Sequence, residues 1–174
     1  MKFYIASKLE NFQEVRSVAD ALVSAGHEHT YDWTAHGCVQ GDSMRMGKVA
    51  EAEKQGVLEA DVLIALLPGG RGTHVEIGMA LALDIPVLMV SQDPALFGCE
   101  GEICVFYWGE ATRRFVGNGR RLPAFLADRL DRMERLERLK KPDTQEPTGM
   151  DLIRDASLQR LMGMLFPPVS GGAS

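Results

Sequence analysis

The sequence has little cysteine and no long apolar run. Its three cysteines form no CxxC pair, and an odd, scattered set favours neither a disulfide framework nor a four-cysteine zinc site. No stretch reaches the roughly 18 apolar residues that a membrane span needs. The first residues, MKFYIASKLENF, show no secretory signal region. We therefore expect a cytoplasmic protein without a membrane partner.

Basic charge is scarce as well. The chain has 19 Lys and Arg against 24 Asp and Glu, a net charge of -5, whereas proteins that bind nucleic acid polymers usually present a basic face. A nucleic acid polymer is therefore not expected as a partner. With 174 residues, 45% of them hydrophobic, the chain can bury one sizeable core. We expect one α/β domain over 1–140, and a linker, a short helix and a disordered tail over 141–174.

Most of the chain alternates between strand and helix patterns. Strands are predicted at 2–7, 27–33, 61–67 and 85–91, with a fifth at 103–108. Helices are predicted between them at 10–26, 42–60 and 73–83. Nearly continuous apolar strands joined by helices indicate an open parallel sheet of about five strands with helices on both faces, as in Rossmann and flavodoxin-like folds. If the strand order is 2-1-3-4-5, the ligand crevice lies beyond strands 1 and 3.

A helical extension follows the sheet. The stretch RRLPAFLADRLDRMERLERLKK places apolar residues on one stripe and charges elsewhere, which predicts an amphipathic helix. It packs on its own sheet or forms a subunit contact. The stripe comprises Leu122, Phe125, Leu126, Leu130, Met133, Leu136 and Leu139.

A glycine-rich stretch, LPGGRGTHVEIG, follows the third strand at residues 67–78. One interpretation is structural, because Thr73 and Glu76 fit a T-x-x-E capping box. The other is functional, because glycines let amides approach a ligand and a helix N-terminus favours an anion such as phosphate. The loop is neither a Walker A sequence nor a complete G-x-G-x-x-G. The predicted phosphate-binding residues are Gly69, Gly70, Arg71, Gly72 and Thr73.

Three stretches resemble the nucleoside 2-deoxyribosyltransferase family and its relatives, the nucleoside 5'-monophosphate N-glycosidases: FYIAS, EADVLIALL and GTHVEIGMAL. The resemblance covers about residues 2–92. It implies an enzyme in which Glu76 is the nucleophile that forms a covalent glycosyl-enzyme, which water or another base then resolves. The helix N-terminus is expected to keep this carboxylate ionised. The resemblance also implies a homodimer, with no cofactor.

The resemblance assigns a second carboxylate and suggests the substrate class. The family has an aspartate eight residues before the one that opens the middle strand, and this position is Glu53 here, counted back from Asp61. A helix face in contact with solvent is the alternative for Glu53. Family members that use free nucleosides carry an aspartate six residues before the nucleophile, where this chain has Gly70. A loop without a carboxylate suits a 5'-phosphate better than a 5'-hydroxyl.

Two alternatives remain at this stage. The stretch PGGRGTHVE also matches P-G-G-x-G-T-x-x-E, the motif of cytokinin-activating phosphoribohydrolases, which release a base from nucleoside 5'-monophosphates. A non-catalytic nucleotide sensor or carrier would use the same loop, with Glu76 serving only as a helix cap. All these interpretations predict a small nucleoside or nucleotide as the ligand.

Residues near the ends of the first two strands are further candidates. Tyr4, Ser7 and Asn11 could contact sugar or phosphate, although a strand residue or a helix cap explains each as well. Trp33 could stack on a base, although core packing is the commoner role. A histidine-rich stretch matches no metal pattern, so no metal site is expected. It contains His27, His29, His36 and Cys38.

Overall fold

A computed structural model describes residues 1–100, 103–117 and 119–140. The linker, short helix and tail predicted at 141–174 lie outside the described residues. Met1–Glu134 form one compact unit. Within the described part of the chain, no helix is both long enough and apolar enough to cross a membrane.

Five parallel strands form a single sheet in the order β2-β1-β3-β4-β5. This confirms the predicted α/β fold, and the strand order is the one on which the predicted place of the crevice depended. The central strands are buried because their runs of β-branched and aliphatic residues are covered on both faces. In sequence order the strands are β1 (Lys2–Ala6), β2 (Glu28–His29), β3 (Val62–Leu67), β4 (Val87–Ser91) and β5 (Thr112–Val116).

Within the described residues four α-helices cross between or follow these strands, and local sequence sets their ends. The second helix begins after Asp42, whose carboxylate accepts a hydrogen bond from the Arg45 amide at 3.0 Å. The first helix ends near Gly26, which takes a φ of +93° that other residues adopt with strain. The helices are α1 (Phe12–Ser24), α2 (Ser43–Leu58), α3 (Arg71–Ala82) and α4 (Leu122–Lys140).

The predicted fifth strand is wrong. Residues Val105–Trp108 form a 3-10 helix, and β5 begins at Thr112. The turn buries Tyr107 while Val105 and Phe106 remain exposed, and the Thr112 hydroxyl donates to the Tyr107 carbonyl at 2.8 Å. An apolar run of this length does not distinguish a short strand from a single helical turn.

The second strand is shorter than predicted, and α4 packs by only part of its stripe. Beyond β2 the backbone turns into a 3-10 helix at Trp33–Ala35, where the Asp32 carboxylate accepts from the Thr34 amide at 3.0 Å. In α4 the side chains at i, i+4 and i+8 are buried, and others on the stripe are exposed. The buried set is Leu122, Leu126 and Leu130, and the exposed set is Phe125, Leu136 and Leu139. A subunit contact and a homodimer stay predictions.

Candidate active site

A cleft of about 360 Å³ opens at the carboxyl end of the sheet. Its walls come from the segment after β1, the region before α2, α2 itself and the start of α3. Parallel strands bring these segments together because their carboxyl ends meet at one edge of the sheet. Seven of the predicted site residues line it: Ser7, Trp33, Glu53, Gly70, Gly72, Thr73 and Glu76.

Glu76 lies on α3 with only 7% of its surface exposed. Its Oε1 accepts a hydrogen bond from the Tyr4 hydroxyl at 2.5 Å. Burial raises the pKa of Glu76 to about 7, the Tyr4 hydrogen bond lowers it, and the nearby Glu53 carboxylate raises it. Desolvation outweighs the groups that stabilise the charged form, so the raised pKa opposes the expected effect of the helix N-terminus, which is to keep this carboxylate ionised.

The predicted T-x-x-E capping box is also wrong. Helix α3 begins at Arg71, with Gly70 as its N-cap, so Thr73 lies in the first turn rather than at the cap. The Thr73 hydroxyl accepts from the Gly70 amide at 3.0 Å. Glu76 is on the second turn, and its carboxylate turns toward Tyr4 on β1. The cap is thus formed without Glu76, whose burial needs another explanation.

The loop depends on glycine at one point of close approach. A Cβ at Gly69 would lie 2.5 Å from Thr73 Cγ2 and 2.7 Å from Thr73 Cβ, so a side chain there would displace the threonine. Thr73 is 1% exposed and packs over this glycine. Gly70 and Gly72 line the cleft, whereas Gly69 and Arg71 do not, and the Arg71 side chain is exposed.

Glu53 reaches the same cleft from α2 and is half-buried. Burial raises the pKa of Glu53, and the charge of His36 acts in the opposite direction. His36 Nε2 lies 3.3 Å from the Tyr31 hydroxyl, so the ring has a fixed neighbour beside Glu53. A carboxyl with a raised pKa keeps its proton closer to neutral pH and can donate it.

The other predicted residues support the walls of the cleft. The Tyr4 ring is fully buried and reaches the site only through its hydroxyl on Glu76. The Ser7 hydroxyl donates to the Leu66 carbonyl at 2.7 Å and accepts from the Asn11 amide at 3.0 Å, which ties the ends of β1 and β3 together. Trp33 donates its indole N–H to the Ile5 carbonyl at 2.7 Å, so its ring is fixed at one wall.

Lys8 and His36 are among the cleft residues that were missed as substrate contacts from the sequence. Lys8 follows Ser7 directly, and its Cβ lies 3.7 Å from where a Cβ at Gly70 would stand. Ser7 was selected because it follows a strand, and the same rule would have selected the cation of Lys8. His36 was noticed only as a metal candidate, because its sequence neighbours do not reveal that it faces Glu53.

Comparison with known families identifies this arrangement. The family model described as nucleoside 2-deoxyribosyltransferase matches residues 3–107, more than half of the 174 residues. The chain belongs to the nucleoside 2-deoxyribosyltransferase family. It is therefore an enzyme of the class that transfers or cleaves at the N-glycosidic bond of nucleosides and nucleotides. The match spans every segment that lines the cleft. No curated protein matches the sequence significantly.

Two solved structures are similar to this chain. A 2-deoxyribosyltransferase from the psychrotolerant bacterium Bacillus psychrosaccharolyticus is 18% identical, with a TM-score of 0.53 over 74% of this chain and 91% of that one. A CMP N-glycosidase from Clostridium botulinum is 17% identical, with a TM-score of 0.47 over 75% of this chain and 98% of that one. The first likeness supports the fold that the 2-deoxyribosyltransferase family model indicates.

Proposed function

We propose that this enzyme cleaves the N-glycosidic bond of a nucleoside 5'-monophosphate through a covalent glycosyl-enzyme on Glu76. One observation carries the proposal. Among the described residues Glu76 is the one buried carboxylate, and it lines the cleft at the carboxyl end of the sheet. Burying a carboxyl group is unfavourable, so a fold that holds one beside a cleft points to a chemical role for it.

The chemistry follows from the two carboxyl groups. Ionised Glu76 attacks the anomeric carbon of the sugar, and the bond from that carbon to the base nitrogen breaks with its electrons going to the base. A protonated Glu53, whose pKa is raised by burial, gives its proton to the departing base. Water then attacks the same carbon, gives a proton to the Glu53 carboxylate and releases Glu76 as a carboxylate. A second base in place of water makes the reaction a transfer.

The loop and its surroundings fit a phosphate. Amides at the start of α3 carry partial positive charge, and Gly70 and Gly72 leave them open to the cleft. Lys8 lines the cleft beside them and adds a full positive charge. Arg71 stands exposed at the first residue of α3, from where its flexible side chain can reach a bound anion. These groups favour a 5'-phosphate over a 5'-hydroxyl.

A nucleotide sensor without turnover is less consistent with the geometry. That interpretation gives Glu76 the role of a helix cap, but Thr73 takes the hydrogen bond from the cap residue Gly70. Glu76 is instead buried beside the cleft and held by the Tyr4 hydroxyl, an arrangement that a helix cap does not require.

The test is release of free base from a panel of ribo- and deoxyribonucleosides and their 5'-monophosphates, with and without an acceptor base, followed by chromatography. We expect release from monophosphates, and a loss of about 10³-fold or more in Glu76→Gln. Glu51→Gln is the matched control, because it removes an exposed carboxylate from α2 that pairs with Lys54. Nucleotide binding without release of base by the wild type would leave only the sensor.

A further inference from the structure

A second buried polar group lies at the opposite end of the sheet. His27 stands just before β2, at the amino ends of the strands, and its side chain is only 2% exposed. Its Nε2 is buried and has no hydrogen-bond partner among the described residues. A buried imidazole nitrogen without a partner is unfavourable, so its surroundings need an explanation.

Two carboxylates of α4 face this nitrogen. Asp131 and Glu134 are three residues apart, so they share one face of the helix. One ligand atom from each of His27, Asp131 and Glu134 can be chosen so that all three lie within 4.8 Å of one another. The side chains of Asp131 and Glu134 are 51% and 34% exposed, which leaves the cluster open to solvent on the helix side.

The spacing suits a shared metal ion better than a direct hydrogen bond. His27 Nε2 lies 3.4 Å from Asp131 Oδ1, whereas a charge-assisted bond between such groups is about 2.8 Å. Two ligands bound to zinc at about 2.0 to 2.1 Å with tetrahedral angles stand about 3.3 Å apart. The 3.4 Å between His27 Nε2 and Asp131 Oδ1 is close to this separation.

The charge of the cluster favours a divalent cation. The N-terminal nitrogen of Met1 lies 3.5 Å from Glu134 Oε1 and 3.3 Å from Nδ1 of His27, on the other side of the ring from Nε2. Binding at Nε2 requires the ring proton on Nδ1, so a metal ion that binds here releases one proton from the pair formed by His27 and Met1. The ion would place its charge directly beside the carboxylates of Asp131 and Glu134.

We propose that His27 Nε2, Asp131 and Glu134 bind one divalent transition-metal ion of the zinc class, with water completing the coordination. The donor set, one imidazole and two carboxylates, suits zinc. The ion would join α4 to the segment that precedes β2, and so hold the helix to the amino end of the sheet. The site is remote from the cleft and does not depend on the proposed reaction.

The experiment is calorimetric titration of the full chain with Zn²⁺ alone, using protein without an affinity tag and with its thiols alkylated, because Cys38 and Cys99 are exposed. We expect one ion per chain for the wild type. Asp131→Asn, Glu134→Gln and His27→Gln should each weaken binding by at least about tenfold. Saturating Zn²⁺ should raise the Tm of the wild type but not that of Asp131→Asn.

Two control variants remove groups of the same kind that lie outside the proposed metal site. His29→Gln removes another buried Nε2 without a partner, from a ring stacked on Phe3. Asp128→Asn removes an exposed carboxylate from α4 that pairs with Arg132. Both should keep wild-type affinity. If His27→Gln does not fold, the two half-exposed carboxylate variants carry the test. Absence of Zn²⁺ binding by the wild type, or equal binding by Asp131→Asn, would overturn the proposal.

Discussion

Each end of the parallel sheet buries a titratable side chain beside other charged groups, and the two ends differ in how that side chain is partnered. At the carboxyl end Glu76 has a short hydrogen bond from Tyr4 and faces a cleft. At the amino end His27 Nε2 has no hydrogen bond and faces half-exposed carboxylates. Between them the strands are almost wholly apolar. Packing of the apolar core therefore does not account for burying Glu76 or His27, and we explain each by what it binds.

The two ends also differ in what burial does to the group. Glu76 is held close to its point of half-ionisation, where small changes in surroundings change its charge. The Tyr4 hydroxyl lowers the pKa of Glu76, and the like charge of Glu53 raises it. Groups inside the fold therefore set this pKa. The partners of His27 lie on the solvent side of α4, where an ion from outside can enter. Variants at each end should therefore leave the other unaffected.

The largest effect on stability concerns Glu76 and pH. The folded-state pKa is raised from 4.5 to about 7, so the folded chain keeps a proton that the unfolded chain has released. This retained proton contributes about 3 kcal/mol to the free energy of unfolding. The contribution is complete below about pH 4.5 and is lost as pH rises through 7. Glu76→Gln lacks this titration. Its advantage in unfolding free energy over the wild type should grow by about 3 kcal/mol between those limits.

Urea denaturation at a series of pH values measures this difference. Glu51→Gln serves as the control, since its exposed carboxylate should give a curve parallel to that of the wild type. Parallel curves for Glu76→Gln as well would mean that the Glu76 carboxylate is solvated and that the contrast between the two ends is false. A change in Zn²⁺ affinity in Glu76→Gln would contradict their independence.

The next effect concerns the hydrogen bond to Glu76. Tyr4→Phe removes the donor that lowers the pKa of Glu76, so that pKa should rise further above 7. At pH 7 a smaller fraction of Glu76 is then ionised, and kcat/KM should fall by about ten- to a hundredfold. The acid limb of the pH profile should move to higher pH, so part of the loss is recovered in alkaline buffer.

Tyr107→Phe is the matched control for this change. Its hydroxyl lies 2.8 Å from His74 Nε2 and does not contact Glu76, so its removal should leave the acid limb in place. If Tyr4→Phe lowers activity equally at every pH, Tyr4 acts by packing and not by tuning the Glu76 carboxylate.

The sequence predicted the frame of the fold because long apolar patterns and caps are local. The second helix was predicted to begin at residue 42, and Asp42 is its N-cap. The alternation of strands and helices predicted a parallel sheet, whereas the order 2-1-3-4-5 was stated only as a condition. The glycine loop and Glu76 were selected because they follow a buried strand where parallel sheets place their ligands. The apolar run at Val105–Trp108 was mistaken for a strand because burial of one residue in four gives no clear period.

Contacts between distant segments could not be predicted in this way. The bond from Tyr4 to Glu76 joins residues 72 apart in sequence, and its effect on ionisation depends on burial from all sides. The meeting of His27 with α4 likewise needs the position of a helix that begins 95 residues later. Composition and spacing place each residue on an element, but only packing decides which side chains share a volume.

Two glycines on α2 give the smallest predicted effects on stability and test whether the two ends of the sheet are independent. A Cβ at Gly56 would lie 2.7 Å from Tyr31 Cβ and 3.0 Å from Cδ2 and Cε2 of the Tyr4 ring, whereas a Cβ at Gly47 meets nothing within 4 Å. Gly56→Ala should therefore lower the free energy of unfolding by about 1 to 3 kcal/mol. Gly47→Ala should raise it by about 0.5 to 1 kcal/mol through helix propensity.

The two alanine variants also separate catalysis from metal binding. The methyl group added in Gly56→Ala displaces the Tyr4 ring, so the hydrogen bond from Tyr4 to Glu76 should lengthen. Both kcat and the free energy of unfolding should therefore fall. Gly47→Ala should keep wild-type kcat. Calorimetry with Zn²⁺ should give the same affinity for both variants, since neither position contacts His27 or α4. A loss of Zn²⁺ binding in Gly56→Ala alone would mean that strain crosses β1 from the cleft to the amino end, and the two ends would then be coupled through the sheet.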